Sequence, residues 1–94
     1  MPIPATTKAF IDNLINYYIG EVSSYKQMAE LYSAEIDDVP SAVFGIILGS
    51  IYSSFLQAYA NQKQKPSLSD IQEFYQIFKH RASQIKTSIF EAKK

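Results

Sequence analysis

Pro40-Ser41-Ala42-Val43-Phe44-Gly45-Ile46-Ile47-Leu48-Gly49-Ser50-Ile51-Tyr52-Ser53-Ser54-Phe55-Leu56-Gln57-Ala58-Tyr59-Ala60-Asn61-Gln62 is the stretch on which the fold turns. No charge occurs between Asp38 and Lys63, a run of 24 residues that is long enough to cross a bilayer if length alone is considered. At about 100° per residue the run divides into three faces. Phe44, Leu48, Ile51, Phe55 and Tyr59 form a bulky stripe, and Ala42, Gly45, Gly49, Ser53 and Ala60 form a small one beside it. Ser50, Ser54, Gln57 and Asn61 lie opposite as a wet stripe, which a lipid-exposed helix does not need. The expectation is a central bundle helix over about 40–63, with no membrane crossing. Gly45 and Gly49 make a GxxxG motif, and the simplest use of the small strip is to receive bulky rings from a neighbouring helix; a symmetric dimer contact is the second use.

Both flanks read as amphipathic helices. Upstream, Ile11, Leu14, Ile15, Tyr18, Val22, Tyr25, Met28, Ala29, Tyr32 and Ile36 follow three-then-four spacing, so one helix is expected over about 6–36. Tyr18, Tyr25 and Tyr32 recur every seven residues and are expected to share a seam, as packed rings rather than a base-stacking row. Gly20 faces away from that seam; it is read as tolerated inside a continuous helix, a break into two shorter helices being the less favoured alternative. Asp37-Asp38-Val39-Pro40 ends this helix and starts the next, with an aspartate positioned to cap it. Downstream, Ser67-x-x-Asp70 is a capping box with Asp in place of Glu. It opens a helix over about 67–92 whose stripe is Leu68, Ile71, Phe74, Tyr75, Phe78, Ala82, Ile85 and Ile89.

The fold class that follows is all-α: one domain over 1–94, an antiparallel up-down-up bundle of three long helices (about 6–36, 40–63 and 67–92), open to assembly into a larger helical bundle by homodimerisation. Helices of that size are on the order of 35 to 45 Å long, which makes a rod.

Composition narrows the chemistry. With no cysteine, disulfides, thiolate nucleophiles and Cys-ligated metals are excluded together. The N-terminal residues lack the basic and apolar regions of a signal peptide, so the cytoplasm is the expected compartment. The lone histidine, His80, stands between Lys79 and Arg81 on a polar helix face and reads as exposed rather than as a base or ligand. No Glu-x-x-His pair, P-loop, Rossmann fingerprint, zincin motif or nucleophile elbow occurs, and no cofactor, metal or small-molecule ligand is expected. An enzyme is not expected.

Two functional readings remain. The first is a non-enzymatic protein–protein interaction or oligomerisation module, with itself or another protein as partner. Its candidate packing or interface residues are Ala42, Gly45, Gly49, Ser53, Ile77 and Phe90, and Val43, Ile46 and Ile47 add apolar surface beyond one bundle's need. The second starts from charge. The net charge is zero, yet residues 1–40 hold two cations against six carboxylates and residues 41–94 seven against three. Lys79, Arg81, Lys86 and the tail Lys93-Lys94, with Lys63 and Lys65 at the preceding turn, form a basic patch on the third helix, the alternative being a small nucleic-acid-associated protein that uses that face.

Overall fold

The computed structural model describes residues 5–92. Those residues form four helices and no strand: α1 (Ala5–Gly20), α2 (Val22–Glu30), α3 (Val39–Ala60) and α4 (Leu68–Glu91). Each helix touches the other three. The long dimension is 42 Å against 22 and 18 Å across.

The first helix departs from expectation in two places. It is broken at Glu21, which takes φ −105° and ψ 7°, and its N–H reaches back three residues to the Tyr18 carbonyl at 3.1 Å. Gly20 supplies no side-chain packing against this break, since nothing lies within 4 Å of where its Cβ would stand, and Ser23-Ser24 follow with weak helix propensity. The helix then stops at Glu30, not 36. The Leu31, Tyr32 and Ser33 N–H groups each bond three residues back at 3.2, 3.0 and 3.2 Å, which tightens the chain into turns. The buried face nevertheless runs through the break, because Ile11, Ile15, Val22 and Ala29 all lie in one core cluster. Of the tyrosine seam, Tyr18 and Tyr25 meet at 5.7 Å, whereas Tyr32 falls in the turn and is exposed.

The kink brings α2 over the end of α4, where the Lys26 ammonium donates to the carbonyls of Ile89 and Ala92 at 3.1 and 3.2 Å. Ile89 O also takes the Ala92 N–H at 3.4 Å, so the ammonium shares the last carbonyls of α4, and a cation there complements the helix dipole.

The junctions around α3 and α4 follow their local sequence. Asp38 is the extended residue before α3, and Pro40 sits in the first turn as its fixed φ favours. Its carboxylate does not cap a backbone N–H as expected; it accepts from the Ser41 hydroxyl at 2.6 Å. At the other end Lys63 adopts φ 57°, and the Gln64 N–H reaches the Tyr59 carbonyl at 3.0 Å while the Lys63 N–H reaches Ala60 at 2.9 Å. That pair of bonds is a Schellman closure, usually built on glycine. The capping box is present: Ser67 Oγ accepts from the Asp70 N–H, and Asp70 Oδ2 from the Ser67 N–H, both at 3.1 Å.

The core centres on α3. Val43, Ile47, Ile51 and Phe55 are fully buried there, against Ile11 and Ile15 of α1 and Phe74, Ile77, Phe78, Ile85 and Ile89 of α4. Burying one such side chain stabilises by roughly 1.5–3 kcal/mol, so this cluster carries the fold. Phe55 and Phe74 stack at 4.8 Å, Tyr52 meets Phe74 at 5.3 Å, and Phe44 meets Phe78 edge-on at 5.7 Å. Relative to the sequence reading, α3 is turned about its axis by about 60°. Val43, Ile47 and Ile77, expected as surplus surface, lie inside; Leu68, expected in the α4 stripe, is exposed.

Candidate interaction surface

The turn of α3 decides what the molecule presents outward. With Val43, Ile47, Ile51 and Phe55 pointing inward, the direction about 180° away belongs to Gly49, and Ala42, Gly45, Ser53, Leu56 and Ala60 lie within about 40° of it. Gly45, Gly49, Ser53, Leu56 and Ala60 are exposed, and Ala42 is half-buried. No atom of another residue comes within 4 Å of a Cβ built on Gly45 or Gly49. The expectation that this strip receives bulky rings from a neighbouring helix of the same chain is therefore overturned. β-Branched Val43, Ile47 and Ile51, four residues apart, fill the interior, which leaves the small residues on the far side.

The stripe expected to be wet is displaced by the same turn. Ser50 and Ser54 are half-buried toward the α1 side, and Ser54, Gln57 and Asn61 line a groove with Thr6, Thr7 and Phe10 of α1. Gln57 donates to Asn61 at 2.8 Å. The outermost face of α3 is thus small and apolar, without a charge from one end to the other. By length and composition α3 is also the one helix among the described residues able to cross a membrane.

Of the other interface candidates, Ile77 is in the core, while Phe90 is exposed at the edge of a groove with Asp38, Pro40, Ser41, Phe44, Lys86 and Ile89. Tyr75 of α4 is exposed and stacks on Tyr52 of α3 at 6.2 Å, continuing the apolar surface sideways.

The basic patch does not act as one row. Lys63, Lys65, Lys79 and Lys86 are exposed, but Arg81 is turned to α1. Its Nη1 reaches both the carboxylate and the carbonyl of Asp12 at 3.5 Å, its Nη2 donates to the Asn16 side chain, and its Nε donates to Gln84 at 2.9 Å. A guanidinium so engaged is a clasp between α1 and α4. Lys63 and Lys65 stand before α4, Lys79 and Lys86 are spread along it, and Lys93 and Lys94 lie outside the described residues. His80 is exposed, and among the described residues no three His, Asp or Glu side chains converge as a metal site would require.

One polar pair was not foreseen. The Tyr59 hydroxyl is buried without a hydrogen-bond partner, close enough to Asp70 to feel its charge. Burial first, and that carboxylate second, raise the phenol above its ordinary value. Asp70 is held below the ordinary carboxyl range, chiefly by the Ser67 N–H. Tyr59 stands near the end of α3 and Asp70 in the first turn of α4, so the pair lies where the two helices are joined.

No family model, curated protein or solved structure matches the chain.

Proposed function

We propose that this chain is a non-enzymatic protein–protein association module whose working surface is the outward face of α3. The observation that carries the reading is a 22-residue helix, uncharged throughout, that its own bundle covers on one side only. An uncharged helix that is apolar over most of its circumference is normally covered on more than one side, by protein or by lipid. Protein is favoured over lipid because Val43, Ile47, Ile51 and Phe55 are already committed to the core with α1 and α4. Insertion of α3 into a bilayer would strip that cluster apart. In this reading the frame is an up-down-up bundle of three legs, the first leg kinked into α1 and α2, and the compartment is the cytoplasm.

Nucleic-acid binding is the weaker reading, since Arg81 is spent on Asp12 and Asn16 and the remaining lysines are dispersed. A lysine at Gly49 tests the leading one. The position is open, so Gly49→Lys is expected to fold with unchanged helical content. Light scattering of the unmodified protein at roughly 100 µM is expected to give a mass above 10.7 kDa, and the variant is expected to return to that mass. A wild-type mass of 10.7 kDa at every concentration up to about 1 mM, or a heavier species indifferent to Gly49→Lys, would overturn the reading.

A further inference from the structure

We infer that the partner covering α3 is a second copy of this chain, laid antiparallel along it and centred near Ile51. The inference rests on the association reading above and adds the partner, its direction and its register. Three features of α3 point the same way.

The first is the order of small residues. In an antiparallel pair centred on residue 51, positions equally distant from 51 face each other. Ala42 then meets Ala60 of the second copy, and Gly49 meets Ser53 of the second copy. Small side chains oppose small ones on both sides of the centre, which lets two helix backbones approach closely. Ile46 and Tyr52 stand at the two edges of the strip, about 60° either side of Gly49, and exposed Leu56 lies within it, at the level of Gly45 and Ile46 of the second copy.

The second is charge at the ends of the uncharged run. Asp37 and Asp38 precede α3, and Lys63 and Lys65 follow it, all four exposed. The same centre at residue 51 places Asp37 opposite Lys65 of the second copy. A parallel pair would instead gather four carboxylates at one end and four ammonium groups at the other, and like charges across an interface are costly. One register thus satisfies both the packing and the charges, although the two are independent properties of the sequence.

The third is the helix dipole, which favours antiparallel neighbours because each positive N-terminus then lies beside a negative C-terminus.

Area sets the strength. Twenty-two residues span about 33 Å, and one helix face is about 10 Å wide, so the strip itself offers on the order of 330 Å² per copy. A stable complex buries about 800 Å² per partner. The dimer is therefore weak and dilution-sensitive.

The absence of native cysteine gives a clean test. Ala42→Cys and Ala60→Cys proteins, one of them ¹⁵N-labelled, are treated at about 200 µM with a short bismaleimide, alone and mixed, and the products are weighed by mass spectrometry. Within one helix the two positions are about 27 Å apart, beyond the linker's reach. Cross-links are expected in the mixture only, joining position 42 of one copy to position 60 of the other. Self-cross-linking of each variant alone would make the pair parallel and overturn this inference, while leaving association through α3 intact. A dimer by light scattering with no cross-link in any tube would place the second copy elsewhere and overturn it too. A strict monomer overturns both this inference and the reading beneath it, and a monomer that floats with phosphatidylcholine vesicles assigns the face to lipid instead.

Charge exchange supplies a second, independent readout. Asp37→Lys and Lys65→Glu are each expected to weaken dimerisation about threefold to tenfold, and the double variant to recover most of that loss. Additive losses in the double variant would refute the proposed register.

Discussion

Gly20 and Gly49 offer a matched pair of perturbations. Both lie in helices, neither has positive φ, and nothing stands within 4 Å of a Cβ at either site. In an isolated chain the two replacements by alanine are therefore equivalent. Each removes glycine's excess backbone entropy and stabilises by about 0.5–1 kcal/mol, which for a domain of this size raises Tm by roughly 2–8 °C. They diverge only if something covers α3. If half-dissociation lies at about 50 µM, a wild-type sample at about 500 µM keeps about 100 µM of free monomer and gains about 1 kcal/mol from association, a gain absent at about 2 µM. Gly20→Ala, remote from the strip, is expected to add its increment at both concentrations. Gly49→Ala is expected to add the same increment when dilute, but to lose the association gain when concentrated, because its methyl group holds the two backbones apart. The assay is urea unfolding followed by circular dichroism at the two concentrations. Equal behaviour of the two variants at both would refute the claim that the outer face of α3 is a contact surface. A destabilising Gly20→Ala would refute the simpler claim that Gly20 is helical and unobstructed.

Other consequences concern the frame that holds this surface. Lys63 carries a side chain at φ 57°, a conformation that suits glycine, so Lys63→Gly is expected to stabilise the protein by about 1 kcal/mol, read from the urea midpoint. Asp70 titrates below its ordinary value in the folded chain, so its contribution is fully present above the ordinary carboxyl range near pH 4 and is lost as the pH falls through the lower folded value. Asp70→Ala is accordingly expected to destabilise the protein at pH 7, read from the urea midpoint, and to flatten the acid limb of the stability profile below about pH 4. Tyr59→Phe removes a buried hydroxyl that has no hydrogen-bond partner, and stability is expected to hold or to rise by up to about 1 kcal/mol. In an ultraviolet titration the same variant should lose one of the late-titrating phenols, of which Tyr25 is another. A loss of more than about 1 kcal/mol in Tyr59→Phe would show that the hydroxyl is satisfied after all.

The helical class and the α3 and α4 spans were legible because they rest on local signals. Pro40 in a first turn and the Ser67–Asp70 box act over a few residues and hold in the structure, as does the centre of the α4 stripe at Phe74, Phe78, Ile85 and Ile89, whereas Leu68 and Tyr75 of that stripe are exposed. The kink at Glu21 was less legible. Periodicity reports which face is buried, and the face is unbroken from Ile11 to Ala29, so a hydrophobic pattern is blind to a single replaced hydrogen bond within it. Gly20 and the Ser23-Ser24 pair were the available signs, and their meaning depended on whether bending gained contacts elsewhere. It does gain one in the reach of Lys26 to the end of α4, which sequence spacing does not reveal.

The orientation of α3 was the costliest misreading, and its cause is general. An uncharged helix has only a weak polar stripe to fix its roll, here Ser50, Ser54, Gln57 and Asn61, and bulk alone points to Phe44, Leu48, Ile51, Phe55 and Tyr59 as the inward face. In the folded chain the choice is made by fit. The flat β-branched row of Val43, Ile47 and Ile51 packs against two helices at once, whereas Phe44, Leu48, Tyr52 and Tyr59 are long enough to reach the core from its edge. That assignment sends Gly45, Gly49 and Ser53 outward, where the sequence pattern had placed them between helices. The same residues thus mark a close-approach surface in either reading, and what the fold changes is whose helix approaches.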